Sequence, residues 1–206
     1  MRPFTIISDI LFHPSKFFTK IKSERGFADS FTFLAVWLLI SVVLSTAIGY
    51  AMQPIVDELL AKYLGEAAPQ EPVAFEWALA IGLGYPLGLL LSFVSAALLH
   101  VWILIFGGKA DYVKSYQLYV YSRTPDLLFS WIPIINFFVW IYSFYLLIVG
   151  TQRVHGIRQS TAILMYVVPA VLLFIIAMVF VFIAVTMPGV LLDPLMPFLV
   201  ELHQSA

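Results

Sequence analysis

The length of the apolar runs constrains this chain most, because about 20 mostly apolar residues are enough to cross a membrane as a helix. Four runs reach that length, and a fifth segment is long enough but more polar. The chain is 62% hydrophobic and only 11% charged, whereas soluble domains carry about 25% charged residues. We therefore predict an all-α, polytopic transmembrane helical bundle. Its spans are expected at about 31–52, 76–106, 112–131, 134–152 and 160–187.

The third span is the least apolar, since residues 112–131 contain Lys114, Gln117, Arg123 and Asp126. The distribution of Lys and Arg supports it, because these residues favour cytoplasmic loops. If 112–131 crosses the membrane, nine of the eleven lie on one side: Arg2, Lys16, Lys20, Lys22, Arg25, Lys109, Lys114, Arg153 and Arg158. This predicts five spans, with the N-terminus inside and the C-terminus outside. The alternative is four spans, with 112–131 on the membrane surface.

The segments that flank the membrane domain (31–187) have their own patterns. Residues 1–30 are expected to form a cytosolic amphipathic segment, and the proline-rich residues 188–206 a tail on the outer face. Residues 54–66 either extend the first helix or lie across the bundle. The aromatic and basic residues of 13–26 are typical of a helix at an anionic membrane surface, although a simple topology anchor explains them equally well. The predicted membrane-surface residues are Lys16, Phe17, Phe18, Lys20 and Lys22.

Pro125 predicts a break in the third span, because proline has no N–H for a helical hydrogen bond. Arg123 would end the inner half-helix, where the negative end of the helix dipole favours a cation. Asp126 would lie in the first turn of the outer half-helix, where the positive end of the dipole favours an anion. Intramembrane charges usually face a bundle interior or a wet cavity, so we expect the two to neutralise one another there. Their role is either structural or functional. The candidate polar site also includes residues that are expected at a similar depth in the membrane to Arg123 and Asp126: Tyr121, Ser41, Ser45, Ser92, Ser95 and Tyr142.

The second span carries a stripe of small residues at every fourth position, which predicts close packing against another helix or, alternatively, a dimer face. The stripe consists of Gly84, Gly88, Ser92 and Ala96. His100 in the same span is expected to be a hydrogen-bonded structural residue. The chain has no cysteine and no spacing typical of a metal site or of an enzyme motif, and its net charge of −1 argues against nucleic acid. We expect no metal, no cofactor and no enzymatic activity.

Two stretches resemble the Yip domain family of membrane proteins. They are "HPSKFFTKI" and "GGKADYVKSYQLYVYSRTP", the second followed by "WIPIINFFVWIYSFYLLIVGTQRVHGIRQSTA". The resemblance covers roughly residues 10–185 and implies five spans with a cytosolic N-terminus. Eukaryotic members bind Rab-type GTPases. This chain lacks their long N-terminal extension and has Val120 and Arg123 within their Gly-Tyr-x-x-x-Pro signature. It is similar instead to the short prokaryotic members, so small-GTPase binding is not carried over.

These observations predict a non-enzymatic, multi-pass protein of the cytoplasmic membrane that acts as a scaffold, organises the membrane or binds partners. The lipid bilayer is one expected partner, and a membrane protein or a second copy of the chain is another. The alternative is a small transporter or channel that uses Arg123 and Asp126. Many transporters contain inverted repeats, and five spans do not divide evenly into two, which favours the scaffold.

Overall fold

The computed structural model describes residues 3–64 and 73–187. This part of the chain is helical and contains no strand, as the sequence predicts. A short 3-10 helix (Ile21–Ser23) follows the second α-helix. The α-helices are α1 (Pro3–Phe12), α2 (Pro14–Lys20), α3 (Ala28–Leu64), α4 (Val73–Ile105), α5 (Tyr112–Ser122), α6 (Thr124–Phe129), α7 (Pro133–His155) and α8 (Gln159–Thr186).

Four helical segments within the described residues are long and apolar enough to cross a membrane: Ala28–Tyr63, Ile81–Ile105, Pro133–His155 and Gln159–Ile183. They correspond to the first, second, fourth and fifth predicted spans. The chain is therefore a multi-pass, all-α membrane protein. The count of five spans and the orientation of the termini stay predictions.

Helix α3 is longer than its predicted span, because residues 54–64 extend the helix and do not lie across the bundle. At about 1.5 Å per residue it is roughly 55 Å long, against a hydrocarbon thickness of about 30 Å. Pro54 lies within this helix. The predicted outer tail, 188–206, lies outside the described residues.

The third predicted span forms two helices with a break at Arg123 (φ −86°, ψ 6°), which ends α5 and precedes α6. Because Pro125 has no N–H, the carbonyl of Tyr121 loses its helical donor. The buried hydroxyl of Thr124 replaces that donor at 2.8 Å. The predicted break is thus present, and a neighbouring side chain satisfies the carbonyl that it frees.

The polar helix α5 is buried over most of its length, at Ser115–Leu118 and Val120–Ser122. It packs against α4, α7 and α3. The more apolar helices around it leave many large apolar side chains exposed, which suits contact with lipid. The polar centre of the bundle therefore lies in the segment that is hardest to recognise as a span.

The N-terminal segment packs against the bundle through the buried side chains of Phe17, Phe18 and Ile21. Helix α2 contacts α7 at Gly150. A Cβ atom at Gly150 would lie 2.9 Å from Cε1 of Phe18 and would also collide with Leu118. The absence of a side chain at Gly150 thus permits the close approach of α2.

The first compact unit of the chain ends at Ala162, and a second begins at Ile163. In the second unit, α8 exposes consecutive large apolar side chains around its circumference. They include Leu172, Leu173, Phe174, Ile175 and Ile176. An apolar helix of this kind suits a lipid environment.

Candidate functional site: polar groups around α5

The two charges at the α5–α6 break form a loose ion pair. Nε of Arg123 lies 4.0 Å from Oδ2 of Asp126, and their side chains are 45% and 22% exposed. Nη1 of Arg123 also donates a 2.7 Å hydrogen bond to the hydroxyl of Tyr119, whose ring centre lies 5.4 Å from the guanidinium. Arg123 is therefore exposed at the protein surface, and is not enclosed in the bundle as the sequence suggested.

A cavity of about 280 Å³ lies beside this pair. Ser95 of α4 lines it together with Arg123 and Asp126, so the structure brings these three predicted site residues together. Its remaining walls combine polar and apolar groups: Leu99, Tyr119, Ser122, Trp140, Ser143, Phe144 and Leu147.

The other serines predicted for this site lie elsewhere. The Oγ atoms of Ser41 and Ser130 are 3.2 Å apart, so Ser41 links α3 to the end of α6. Ser92 donates to the carbonyl of Leu89 at 2.6 Å and lies 3.3 Å from the hydroxyl of Tyr116. Ser45 is exposed.

The remaining predicted members serve the packing of other elements. The hydroxyl of Tyr142 donates to the carbonyl of Leu11 at 2.5 Å and so connects α7 to α1. Tyr121 lines a different cavity from Arg123, and Pro125 is buried in the first turn of α6. The predicted site is thus distributed over several contacts of the bundle.

The small-residue stripe of α4 contacts α3 at Gly88, where a Cβ atom would lie 3.2 Å from Cδ2 of Leu38. Ser92 and Ala96 are buried, whereas a Cβ atom on Gly84 would meet nothing within 4 Å. Three of the four positions therefore lie within packed surfaces, and Gly84 faces open space.

Lys114 and Gln117 have a role that sequence reasoning missed. Nζ of Lys114 donates to the main-chain carbonyls of Ile21 (2.6 Å) and Glu24 (2.5 Å), and Nε2 of Gln117 donates to that of Gly26 (3.0 Å). The two side chains also bond to each other at 3.0 Å. Their i,i+3 spacing, which places both on one face of α5, was the available signal. We call these contacts the α5 anchor, because they hold the end of the N-terminal segment.

The predicted membrane-surface residues divide into two groups. Lys16, Lys20 and Lys22 are exposed, whereas Phe17 and Phe18 are buried within the protein. The two rings therefore contact the bundle and not lipid, because α2 uses its aromatic face for packing. Lys16, Lys20 and Arg153 line one cleft. Lys22 and Lys109 line another, beside the end of α7.

Two histidines share one serine inside the bundle. Nδ1 of His100 lies 2.8 Å from Oγ of Ser115, which lies 3.2 Å from Nε2 of His155. His100 is therefore hydrogen-bonded, as predicted, and the contacts join α4, α5 and α7. In the described part of the chain, no group of three or more His, Cys, Asp or Glu side chains could hold a metal ion.

Comparison with known families adds to these observations. The Yip1 domain matches residues 8–181, which include every described element except the ends of α1 and α8. Comparisons with curated proteins and with solved structures find no significant match. Since the matched region is most of the chain, the protein belongs to the Yip1 domain family.

Proposed function

We propose that this Yip-type protein is a non-enzymatic scaffold of the cytoplasmic membrane that gathers anionic lipids, or a partner protein, around its inner face. The α5 anchor is the observation that carries the proposal. It fixes the N-terminal segment against the bundle, so that three exposed lysines are held at defined positions: Lys16, Lys20 and Lys22.

Charge supports a lipid-facing role for this surface. Arg153 and Lys109 lie in the same clefts as the three lysines and extend the basic area at the end of α7. A basic residue near an anionic leaflet contributes about 1 kcal/mol of attraction. Several residues in fixed positions would therefore enrich anionic lipids around the protein.

The use of polar groups also favours a scaffold over a transporter. Lys114, Gln117 and Ser115 bond to other elements of the same protein. Arg123 is exposed, donates a hydrogen bond to Tyr119 and forms only a loose ion pair with Asp126. The contacts of Lys114, Gln117 and Ser115 therefore join elements of the fold. In addition, the Yip1 family is not known as a family of enzymes.

Lipid enrichment can be measured by energy transfer in reconstituted vesicles. A donor dye is placed on a cysteine at exposed Gln159, since the chain has no native cysteine, and phosphatidylglycerol carries the acceptor. We expect the efficiency of energy transfer to exceed the value for lipids that are distributed at random. Changing Lys16, Lys20 and Lys22 together to glutamate should return it to that value.

The matched control is Lys62→Glu, which changes an exposed lysine at the far end of α3 and should leave transfer unchanged. Equal transfer in the triple variant and the wild type would contradict lipid gathering. If a second labelled copy or a membrane protein gave the lysine-dependent signal instead, the surface would bind protein. A proton or ion flux across the same vesicles that is lost in Asp126→Asn would support the transporter alternative.

A further inference from the structure

A second cavity, of about 330 Å³, lies between α1, the loop before α3, and the first turns of α3. Its volume is within the range of small-ligand pockets. The polar part of its wall contains the carboxylates of Glu24 and Asp29, and the aromatic part contains Phe33, Trp37 and Tyr121. It shares no lining residue with the cavity beside Arg123.

Tyr121 brings a polar hydroxyl group to this cavity. Its side chain is only 1% exposed, and the rings of Phe17 and Phe33 hold it edge-on at 5.0 Å and 5.5 Å between ring centres. Its hydroxyl makes no hydrogen bond with any residue that the structure describes. Because Tyr121 lines the cavity, its hydroxyl is available to bond to a ligand there.

The charge of Glu24 is only partly offset by neighbouring cations, because the lowering of its pKa by Lys114 and Lys20 is smaller than the rise caused by burial and by Asp29. Oε2 of Glu24 is buried and has no hydrogen-bond partner. Within residues 3–64 and 73–187, neither Glu24 nor Asp29 forms a salt bridge. Lys114 bonds to the main-chain carbonyl of Glu24. Burial, followed by the charge of Asp29, raises the pKa of Glu24 above its ordinary value of 4.5. A cation placed between the two carboxylates would relieve their mutual repulsion.

The shape of the cavity suits an amphiphile. Asp29 lies in the first turn of α3, and Trp37 lies eight residues later, about 12 Å further along the helix. Val36 lines the cavity and is 49% exposed. Ile40 and Val43 are exposed on the same helix face, at i+4 and i+7. The cavity therefore has a polar end next to an apolar side that lipid can reach.

We propose that this cavity binds the primary-ammonium headgroup of a membrane lipid. Glu24 and Asp29 pair with the ammonium group, and the hydroxyl of Tyr121 accepts one of its N–H bonds. The ring of Phe33, about one helical turn after Asp29, adds cation–π attraction, which is strongest where water is excluded. The acyl chains lie along the exposed apolar face of α3. This assignment does not depend on the proposed gathering of anionic lipids.

The test uses the full chain in nanodiscs that contain equal amounts of phosphatidylethanolamine and phosphatidylglycerol. Native mass spectrometry of the released protein then counts the retained lipids. We expect one retained phosphatidylethanolamine, and at least fivefold lower retention in the double variant Glu24→Gln, Asp29→Asn. Tyr121→Phe keeps the ring packing and should lower retention through loss of the hydroxyl alone.

The control is the double variant Asp57→Asn, Glu58→Gln, which removes two carboxylates from the far half of α3 and should retain the lipid. Equal losses in the control and the cavity variant would overturn the proposal, as would retention in the cavity variant equal to the wild type. Free hexylammonium should displace the lipid. If hexylammonium binds in a Glu24-dependent way while the lipid does not, the ligand is a free amine and the lipid assignment is wrong.

Acidification provides an independent measure on the folded protein. Retention should fall as the pH drops through the pKa of Glu24, because the protonated side chain no longer pairs with an ammonium group. That loss should begin at a higher pH than expected for an exposed glutamate, since burial raises this pKa. Retention that is constant across this range would overturn the role of Glu24.

Discussion

At the scale of single residues, the polar groups at the α5–α6 break act mainly on their immediate neighbours. Arg123 donates to Tyr119 at 2.7 Å, which is a closer contact than its 4.0 Å approach to Asp126. Thr124 donates to the carbonyl that Pro125 leaves without a partner. The two kinds of contact differ in burial, so they should differ in their contribution to stability.

The Arg123–Asp126 pair should contribute little. Exposed ion pairs typically contribute about 0–1 kcal/mol, and here the Arg123 side chain is 45% exposed. In a double-mutant cycle with Arg123→Met and Asp126→Asn, we expect a coupling energy below about 1 kcal/mol for unfolding in detergent. A coupling of about 3–5 kcal/mol, as for buried pairs, would show instead that the two charges neutralise each other away from solvent.

Thr124→Val should destabilise the protein more, because it leaves the carbonyl of Tyr121 buried without its side-chain donor. The expected cost is about 1–3 kcal/mol in the free energy of unfolding. Thr186→Val is the matched control, since the Thr186 hydroxyl makes a similar 2.7 Å bond to Phe182 on an exposed helix. It should change stability by less than about 0.5 kcal/mol. Similar losses in both variants would contradict a special role for the break.

At the scale of helices and segments, the α5 anchor explains why a polar helix occupies the centre of the bundle. The side chains of Lys114 and Gln117 satisfy three carbonyls near the end of the N-terminal segment, just before α3. Hydrogen bonds from charged donors contribute about 1.5–3 kcal/mol, more than those between neutral groups. The orientation of the N-terminal segment therefore depends on α5.

Lys114→Met should release this segment while leaving the spans folded. We expect amide hydrogen exchange in residues 21–26 to accelerate by about tenfold or more, in line with the loss of about 1.5–3 kcal/mol of bonding. Lys109→Met removes an exposed lysine near the start of α5 and should leave the exchange rates unchanged. Unchanged exchange in Lys114→Met would mean that Phe17 and Phe18 alone hold the segment.

The sequence predicts positions along a helix better than it predicts the direction in which a side chain points. Counting residues placed Ser95 near Arg123 and located the break at Pro125. It did not show that Ser92 faces Tyr116 or that Ser45 is exposed, because helix rotation depends on packing partners. The anchor was missed for a related reason, since its acceptors are main-chain carbonyls, which leave no trace in residue types.

At the scale of the whole molecule, the arrangement of the first compact unit supports five spans. The loop before α5 and the end of α7 lie together, because Lys109, Asp111 and His155 line one cleft. Lys22 of the N-terminal segment lines it too. The chain must therefore travel from this end to the opposite one between α4 and α7. Residues 112–129 are about 27 Å long as a helix, close to the thickness of the hydrocarbon core.

Cysteine labelling distinguishes this topology from four spans. Single cysteines at exposed Lys62, Lys109 and Gln159 are compared in intact cells with a membrane-impermeant thiol reagent. With the N-terminus inside, both topologies leave Lys62→Cys outside and reactive, and Lys109→Cys inside and protected. They differ at Gln159→Cys, which is protected only if α5 and α6 cross the membrane. Labelling of Gln159→Cys before cell disruption would therefore place 112–131 on the membrane surface, and labelling only after disruption would establish the fifth span.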